Sequence, residues 1–225
     1  MDKQGHAISL ILLAHNEELN IANVLRVLVQ VPEFDEILVI ADACTDNTVK
    51  VARGFPTVKI LERPQTKGKG DAMIFGVSHS LGDIIMFCDA DIKNFTTGHV
   101  YQILEPVING RAIMSVGRRD RIFGLAAIIP KIFPLFAIAG ERAMTKEFFD
   151  SLPRDEHMMD FGIETVMNYY IKQRGLKLAL PRLKNLRQIV KERKWNLRIG
   201  LKARIGQIGQ VRRTRRAMKQ RIKKI

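Results

Sequence analysis

The sequence predicts an α/β fold, with a mostly parallel sheet, helices on both faces and a basic helical tail. Three observations predict it. Short apolar runs unbroken by polar residues, such as "ISLILLA" at 8–14 and "EILVIA" at 36–41, alternate with segments of helical periodicity, and strands buried on both faces read in this way. Polar groups recur where successive runs stop, beginning with "HNE" at 15–17 and ending with "DAD" at 89–91. Charge is also unevenly spread: of the net +14, residues 191–225 carry +13, from fourteen Lys/Arg and one Glu.

The elements follow in order. After the first strand, Leu19, Ala22, Val24, Leu25 and Leu28 recur at helical spacing. The second strand is followed by "TDNTVKVARGF", a helix that Thr45 or Asp46 caps. "VKILE" at 58–62 is a third strand, and "GKGDAMIFGVSHSLG" is a loop entering a helix that ends near Gly82. "DIIMFCDAD" is a fourth strand, "TGHVYQILEPVI" a helix and "AIMSVGRR" a fifth strand. The apolar segment 122–140 is interrupted by Pro130, Lys131 and Pro134, so it suits a buried helix pair or a shallow interfacial hairpin better than a spanning helix. "GERAMTKEFF" reads as a short strand or turn and a short helix. An acidic loop, a helix ending at Gln173 with Gly175 as its stop, and a last strand complete the body. The predicted division is a body of residues 1–190 and a tail of 191–225.

The composition, 46% hydrophobic over 225 residues, supports one sizeable core. Two cysteines, Cys44 and Cys88, exclude a disulfide scaffold and a cysteine metal site, and are expected to be small core residues in a reducing compartment. The first residues carry no signal-peptide cleavage pattern, so a cytoplasmic location is expected.

In an open parallel sheet, ligands sit beyond the carboxyl ends of the strands. Four consecutive strands place polar residues there. "KGKG" at 67–70 is glycine-rich and basic and leads into a helix, so its backbone N–H groups and a lysine can approach a phosphate. The P-loop spacing is missing. Asp89 and Asp91 supply oxygen ligands at a rigid strand end, which suits Mg²⁺ or Mn²⁺ bound together with substrate phosphates. Lone residues have simpler roles: Asp46 caps a helix, Glu17 suits a helix first turn, His15 and His157 lie on the surface, and Glu164 is either a solvated helix residue or part of a site.

The ordered set "ISLILLAHNEELNIANVL", "DEILVIADACTDNTVKVA", "KGKGDAM" and "GDIIMFCDADI" resembles the nucleotide-binding half of a GT-A glycosyltransferase of the family 2 type. The "GKGDA" loop, "GER" and "FGIE" resemble the glucosyl-3-phosphoglycerate synthase branch. The resemblance implies a hexosyltransferase that uses a nucleoside-diphosphate sugar, a UDP- or GDP-sugar, with Mg²⁺ or Mn²⁺. It implies that Glu17 and Asp42 contact the base and ribose, that Lys69 contacts the diphosphate, that Asp89 contacts the ribose or the metal's water, and that Ala14, Asn16, Gly70 and Ala90 complete the nucleotide site. Asp91 would bind the metal, with Gln188 or Lys191 near the place where related enzymes carry a metal-binding histidine. Gln188 is a candidate oxygen ligand. Glu141 and Glu164 would line the sugar and acceptor pocket, and with Asp91 they form the implied catalytic set. The pattern departs from the family at Ala41 and Ala43 and lacks the proline before Asn16.

In the tail, Leu197, Leu201, Ile205 and Ile208, then Val211, Met218, Ile222 and Ile225, fall near helical spacing among Lys and Arg. The expected partner is an anionic membrane surface, with Trp195 at the interface. The acceptor is then lipid-linked at the inner membrane face, or else a soluble phosphorylated acid. For the tail itself, a helix docked on the body with a solvated basic face ranks below the membrane surface, and nucleic acid below both, for want of a recognition motif. A non-catalytic protein that holds RNA or a partner through the tail is the rival class. A homodimer is left open.

Overall fold

The computed structural model describes residues 2–119, 139–154 and 162–189. The apolar segment at 122–140, the acidic loop with His157 and the tail with Lys191 and Trp195 therefore fall wholly or almost wholly outside the described residues.

The first four predicted strands form as β1 (Ile8–Ala14), β2 (Glu36–Asp42), β3 (Val58–Arg63) and β4 (Ile84–Asp89). They pair in parallel in the order β3-β2-β1-β4. The connecting helices are α1 (Ile21–Leu28), α2 (Thr48–Ala52) and α3 (Lys69–Ser78). β5 (Ile92–Lys93) and α4 (Thr97–Ile108) follow, and the Thr96 hydroxyl caps α4 by accepting from the His99 N–H at 3.3 Å.

Two helix starts differ from the periodic reading. α1 begins at Ile21 because Asn16 adopts φ +54° and turns the chain before the helix starts. α2 begins at Thr48, with Asp46 Oδ1 accepting its N–H at 2.9 Å, so Asp46 ties down the helix entry without being the N-cap residue.

The fifth strand breaks in two, β6 (Met114–Val116) and β7 (Arg118–Arg119). A Cβ at the intervening Gly117 would overlap the Leu183 side chain. "GERAMT" supplies β8 (Arg142–Thr145), which inserts between β4 and β6 and runs antiparallel to both. The sheet continues to β9 (Leu178–Ala179), giving the seven-stranded order β3-β2-β1-β4-β8-β6-β9. α5 (Lys146–Asp150) and α6 (Gly162–Gln173) lie between β8 and β9. β10 (Arg182–Leu183) pairs with β7, and β11 (Arg187–Gln188) pairs antiparallel with β5.

Alternation along each strand divides the core. Leu10 and Leu12 face α1 and α4 in one cluster. Ile11, Leu38 and Ile40 face α3 and α6 in the other. Both faces are covered, which is why these strands carry no regular polar positions. Burying each such side chain contributes about 1.5–3 kcal/mol. α3 lies close to the sheet at Gly76, where a Cβ would sit 2.7 Å from Ile11 Cγ2. Among the described residues, no helix is long and apolar enough to cross a membrane.

Candidate active site

The register gathers the strand ends. Ala14 lies opposite Ala41, Asp42 opposite Arg63, and Leu13 opposite Asp89. β8 runs the other way, so it starts where β4 ends: Arg142 pairs with Phe87 and Val116, and Glu141 enters beside Asp89. β7 leaves from the same edge and delivers Arg119. One edge of the sheet therefore collects acidic groups from β1, β2, β4 and β8.

On the β1–β3 side, Asn16 Oδ1 accepts the Thr45 N–H at 2.8 Å and ties the first two strand ends together. Glu17 is buried, and its carboxylate accepts from Asn20 Nδ2 at 2.7 Å. Asp42 accepts from the Thr66 hydroxyl at 2.7 Å and lies 3.0 Å from Arg63 Nη1. Arg63 also pairs with Asp71 and lies over the Phe75 ring, 5.4 Å from its centroid. A cleft opens beside them, lined by Ala41, Ala43, Cys44, Thr45 and Arg63. Ala14 is buried, and its carbonyl accepts from Cys44 Sγ at 3.4 Å. Burial pushes the Cys44 thiol up.

On the β4–β8 side, the charges interlock. Lys69, the first residue of α3, places Nζ 3.0 Å from Asp89 Oδ1 and 2.9 Å from Glu164 Oε1. Gly68 at φ +103° turns the chain into this helix, and Gly70 is buried in its first turn. Burial works against the Lys69 charge, but Asp89 and Glu164 outweigh it and raise its pKa. Burial likewise opposes ionisation of Asp89 and Glu164. Lys69 with Arg119 holds Asp89 below the usual carboxylate range, and Lys69 with Arg142 does the same for Glu164. Arg142 is fully buried; it donates twice to the Ala139 carbonyl and lies 3.6 Å from Glu164 Oε2. Glu164, on α6, is 3% exposed and ion-paired, so it is no solvated face residue.

Glu141 is fully buried, and Arg119 clasps both of its oxygens. Burial raises its pKa against the pull of Arg119. A Cβ at the neighbouring Gly140 would overlap the Asp89 carboxylate, so glycine lets the backbone approach it. The Ala90 N–H donates to the Leu13 carbonyl at 3.2 Å and fixes the turn between the two aspartates.

Asp91 is the exception in this network. Its carboxylate accepts from the Gln188 amide at 3.1 and 3.3 Å, and no described cation lies within ion-pair distance of it. Burial, then the neighbouring Asp89, push its pKa up to about 6. A carboxylate so placed is short of positive charge. Mg²⁺ and Mn²⁺ take one or two carboxylates together with oxygens of a phosphorylated ligand, so a buried carboxylate with no described cation beside it fits such an ion. Among the described residues, no group of three or more His, Cys, Asp or Glu stands ready to hold a metal unaided. The oxygen of Gln188 accepts from Arg119 Nη1 at 2.7 Å.

The structure thus gathers Asp89, Asp91, Glu141, Glu164, Lys69 and Gln188, and sets Ala14, Asn16, Glu17 and Asp42 along the same edge. Sequence reasoning missed Arg63, Arg119 and Arg142. The available signal was position: each stands at a strand terminus on this edge.

Residues 9–159 match the model of Glycosyl transferase family 2, and the chain belongs to that family. Its sheet and covering helices form the GT-A fold. Glucosyl-3-phosphoglycerate synthase of Mycobacterium tuberculosis (strain ATCC 25618 / H37Rv) is 28% identical over 185 residues, 67% of this chain and 57% of the relative. The chain thus spans a little over half the length of that relative. Dolichyl-phosphate beta-glucosyltransferase ALG5C of Trichomonas vaginalis is 38% identical over 65 residues, 27% of this chain and 19% of the relative. Among solved structures, the Mycobacterium tuberculosis glucosyl-3-phosphoglycerate synthase in complex with Mn²⁺, uridine diphosphate and glucosyl-3-phosphoglycerate superposes with a TM-score of 0.70 at 25% identity. That match covers 83% of this chain and 73% of that one.

Proposed function

We propose that the chain is a hexosyltransferase that moves a sugar from a nucleoside diphosphate, a UDP- or GDP-sugar, to an acceptor hydroxyl with the help of Mg²⁺ or Mn²⁺. The observation that carries this reading is the convergence of Lys69, Asp89 and Asp91 at one sheet edge, with Asp91 lacking a described cation partner. The complex of the mycobacterial relative with Mn²⁺ and uridine diphosphate supports it.

In this reading, Ala14, Asn16, Glu17 and Asp42 hold the base and ribose, and Arg63 fixes the Asp42 carboxylate. Lys69, with Gly70 behind it, faces the diphosphate; Asp89 and Ala90 shape the floor beneath it. Asp91 holds the metal ion, which when bound supplies Lewis-acid stabilisation to the departing diphosphate. Glu141 and Glu164 are each tied to a cation, so they orient the sugar and the acceptor. Glu164, held below the usual range, is a poor base for the acceptor proton.

The acceptor is proposed to be lipid-linked, at the inner face of the cell membrane. The charge of the tail supports this: +13 over residues 191–225 suits an anionic surface at about 1 kcal/mol per Lys/Arg near it. Vesicle co-sedimentation tests it. Binding to vesicles rich in anionic lipid that disappears on removing 191–225 is expected; binding to RNA alone would favour the rival class.

Thermal unfolding with UDP, GDP, CDP and dTDP, each with and without Mn²⁺, tests the donor reading. A ligand at one hundred times its Kd adds about 2.7 kcal/mol, or several degrees at roughly 2–4 °C per kcal/mol. A metal-dependent rise with one nucleotide is expected and names the base. No rise with any of them would overturn the reading.

A further inference from the structure

We propose that Arg119 is a positioning residue of the metal site, acting through Gln188, and that Gln188 orients Asp91 without itself ligating the metal. The inference rests on the nucleotide-sugar reading and deepens it.

The Arg119 side chain is 12% exposed and, among the described residues, hydrogen-bonds to Glu141 and Gln188 and lies 3.9 Å from Asp89 Oδ2. Nε donates to Glu141 Oε2 at 3.0 Å, and Nη2 donates to both Glu141 oxygens. Nη1 turns away from that pair and donates to Gln188 Oε1 at 2.7 Å. Gln188 Nε2 then donates to Asp91 Oδ2 at 3.1 Å and Oδ1 at 3.3 Å.

The chemistry of the three groups fixes the direction of this relay. A guanidinium only donates, an ionised carboxylate only accepts, and an amide does both. An amide between the two satisfies them in one orientation, with its oxygen on the arginine and its nitrogen on the carboxylate. Reversed, it would set NH₂ against guanidinium and oxygen against carboxylate. The one atom of Gln188 able to bind a hard cation therefore faces the Arg119 guanidinium, whose charge repels a metal ion at the remaining lone pair, while its nitrogen holds Asp91 in place.

The backbone holds the same geometry. Gln188 lies opposite Ile92 in the β5–β11 pair, and the Ile189 N–H donates to the Asp91 carbonyl at 2.8 Å. Arg119 is held by its pairing opposite Leu183 in the β7–β10 pair. Two short strand pairs thus bring arginine, amide and aspartate into line: the amide is the hydrogen-bonded link from Arg119 to Asp91, and the arginine charge, which lysine would keep, also acts on Asp91 through space.

The test is Mn²⁺ binding by the full chain with UDP, GDP, CDP or dTDP, followed by the electron paramagnetic resonance of free Mn²⁺. The variants are Arg119→Lys, Gln188→Leu and their combination. Lysine keeps the charge beside Glu141, but a single ammonium cannot reproduce the fork that grips both partners. Each single variant is expected to weaken Mn²⁺–nucleotide binding by about 10–100-fold, the usual effect of losing a group that orients a ligand. The combination is expected to be no weaker than the weaker single variant. Binding of the metal-free nucleotide, a readout that general damage would also move, stays at the wild-type value.

If Gln188 were a ligand held back by Arg119, Arg119→Lys would release its oxygen and tighten Mn²⁺ binding; that result overturns the proposal. Independent effects that multiply in the combination overturn it too. Where Arg119→Lys fails to fold, Arg119→Gln with Glu141→Gln removes the buried pair without stranding a charge and is expected to weaken Mn²⁺ in the same way. A wild-type chain that binds Mn²⁺ with none of the four nucleotides would overturn the donor reading along with this one. Wild-type binding with unaltered variants overturns this inference alone.

Discussion

Lys69 Nζ lies 3.0 Å from Asp89 Oδ1, joining the first turn of α3 to the end of β4. The same ammonium reaches Glu164, so one cation serves two buried carboxylates. Lys69→Ala removes the nearest cation from both and leaves Asp89 with Arg119 at 3.9 Å and Glu164 with Arg142 at 3.6 Å. A loss of about 3–5 kcal/mol is expected, measured by chemical denaturation, together with loss of nucleoside-diphosphate affinity. Lys69→Arg keeps the charge and is expected to retain most of the stability.

Asp91 separates stability from activity. Ionised at neutral pH, it lies buried beside Asp89 with its pKa raised to about 6. Asp91→Asn removes that charge and keeps an acceptor for Gln188. The metal-free variant is expected to be more stable by about 1–3 kcal/mol, raising Tm by roughly 2–4 °C per kcal/mol. Sugar transfer is expected to fall on the order of a thousandfold. An unchanged transfer rate would remove Asp91 from the site.

The same group sets a pH dependence. Its pKa rises from 3.8 unfolded to about 6 folded, so the folded state holds the proton more tightly. Its contribution to the stability of the metal-free protein is present below about pH 4 and is lost as pH rises through about 6. Metal binding needs the ionised form and runs the opposite way. Mn²⁺ affinity in the presence of nucleotide is expected to drop about tenfold per pH unit below about 6, measured by titration calorimetry.

Gly140 is held to glycine by Asp89, whose carboxylate a Cβ would overlap. Because Lys69 grips that carboxylate, the side chain cannot simply swing aside. Gly140→Ala is expected to cost about 1–3 kcal/mol and to weaken nucleotide binding, whereas a Cβ at Gly98 meets only Thr96 Oγ1 at 3.7 Å, an ordinary contact.

The first four strands were legible because their signals are local. A buried strand such as Ile8–Ala14 announces itself by an unbroken apolar run, and its carboxyl end locates polar groups such as Asp42 and Asp89. The insertion of β8 between β4 and β6 was not legible, since "RAMT" carries no strand periodicity and its partners are remote in sequence. The arginines were missed for a related reason. An arginine at a strand terminus reads as solvated, and only tertiary contact turns Arg63 toward Asp42, Arg119 toward Glu141 and Arg142 toward Glu164.

The mixed sheet also has a kinetic consequence. β1 pairs Ser9 with Glu36 across a single crossover, whereas β4 meets β8 by joining Phe87 to Arg142, a much longer closure. Long closures pay their chain entropy before contacts reward them, so they tend to complete late in folding. The carboxylates of β4 would then assemble before Glu141 and Arg119 arrive to complete the charge pattern. Substitutions at those two residues should accelerate unfolding and leave the refolding rate nearly unchanged, so the last part of the cleft to form is the first to let go.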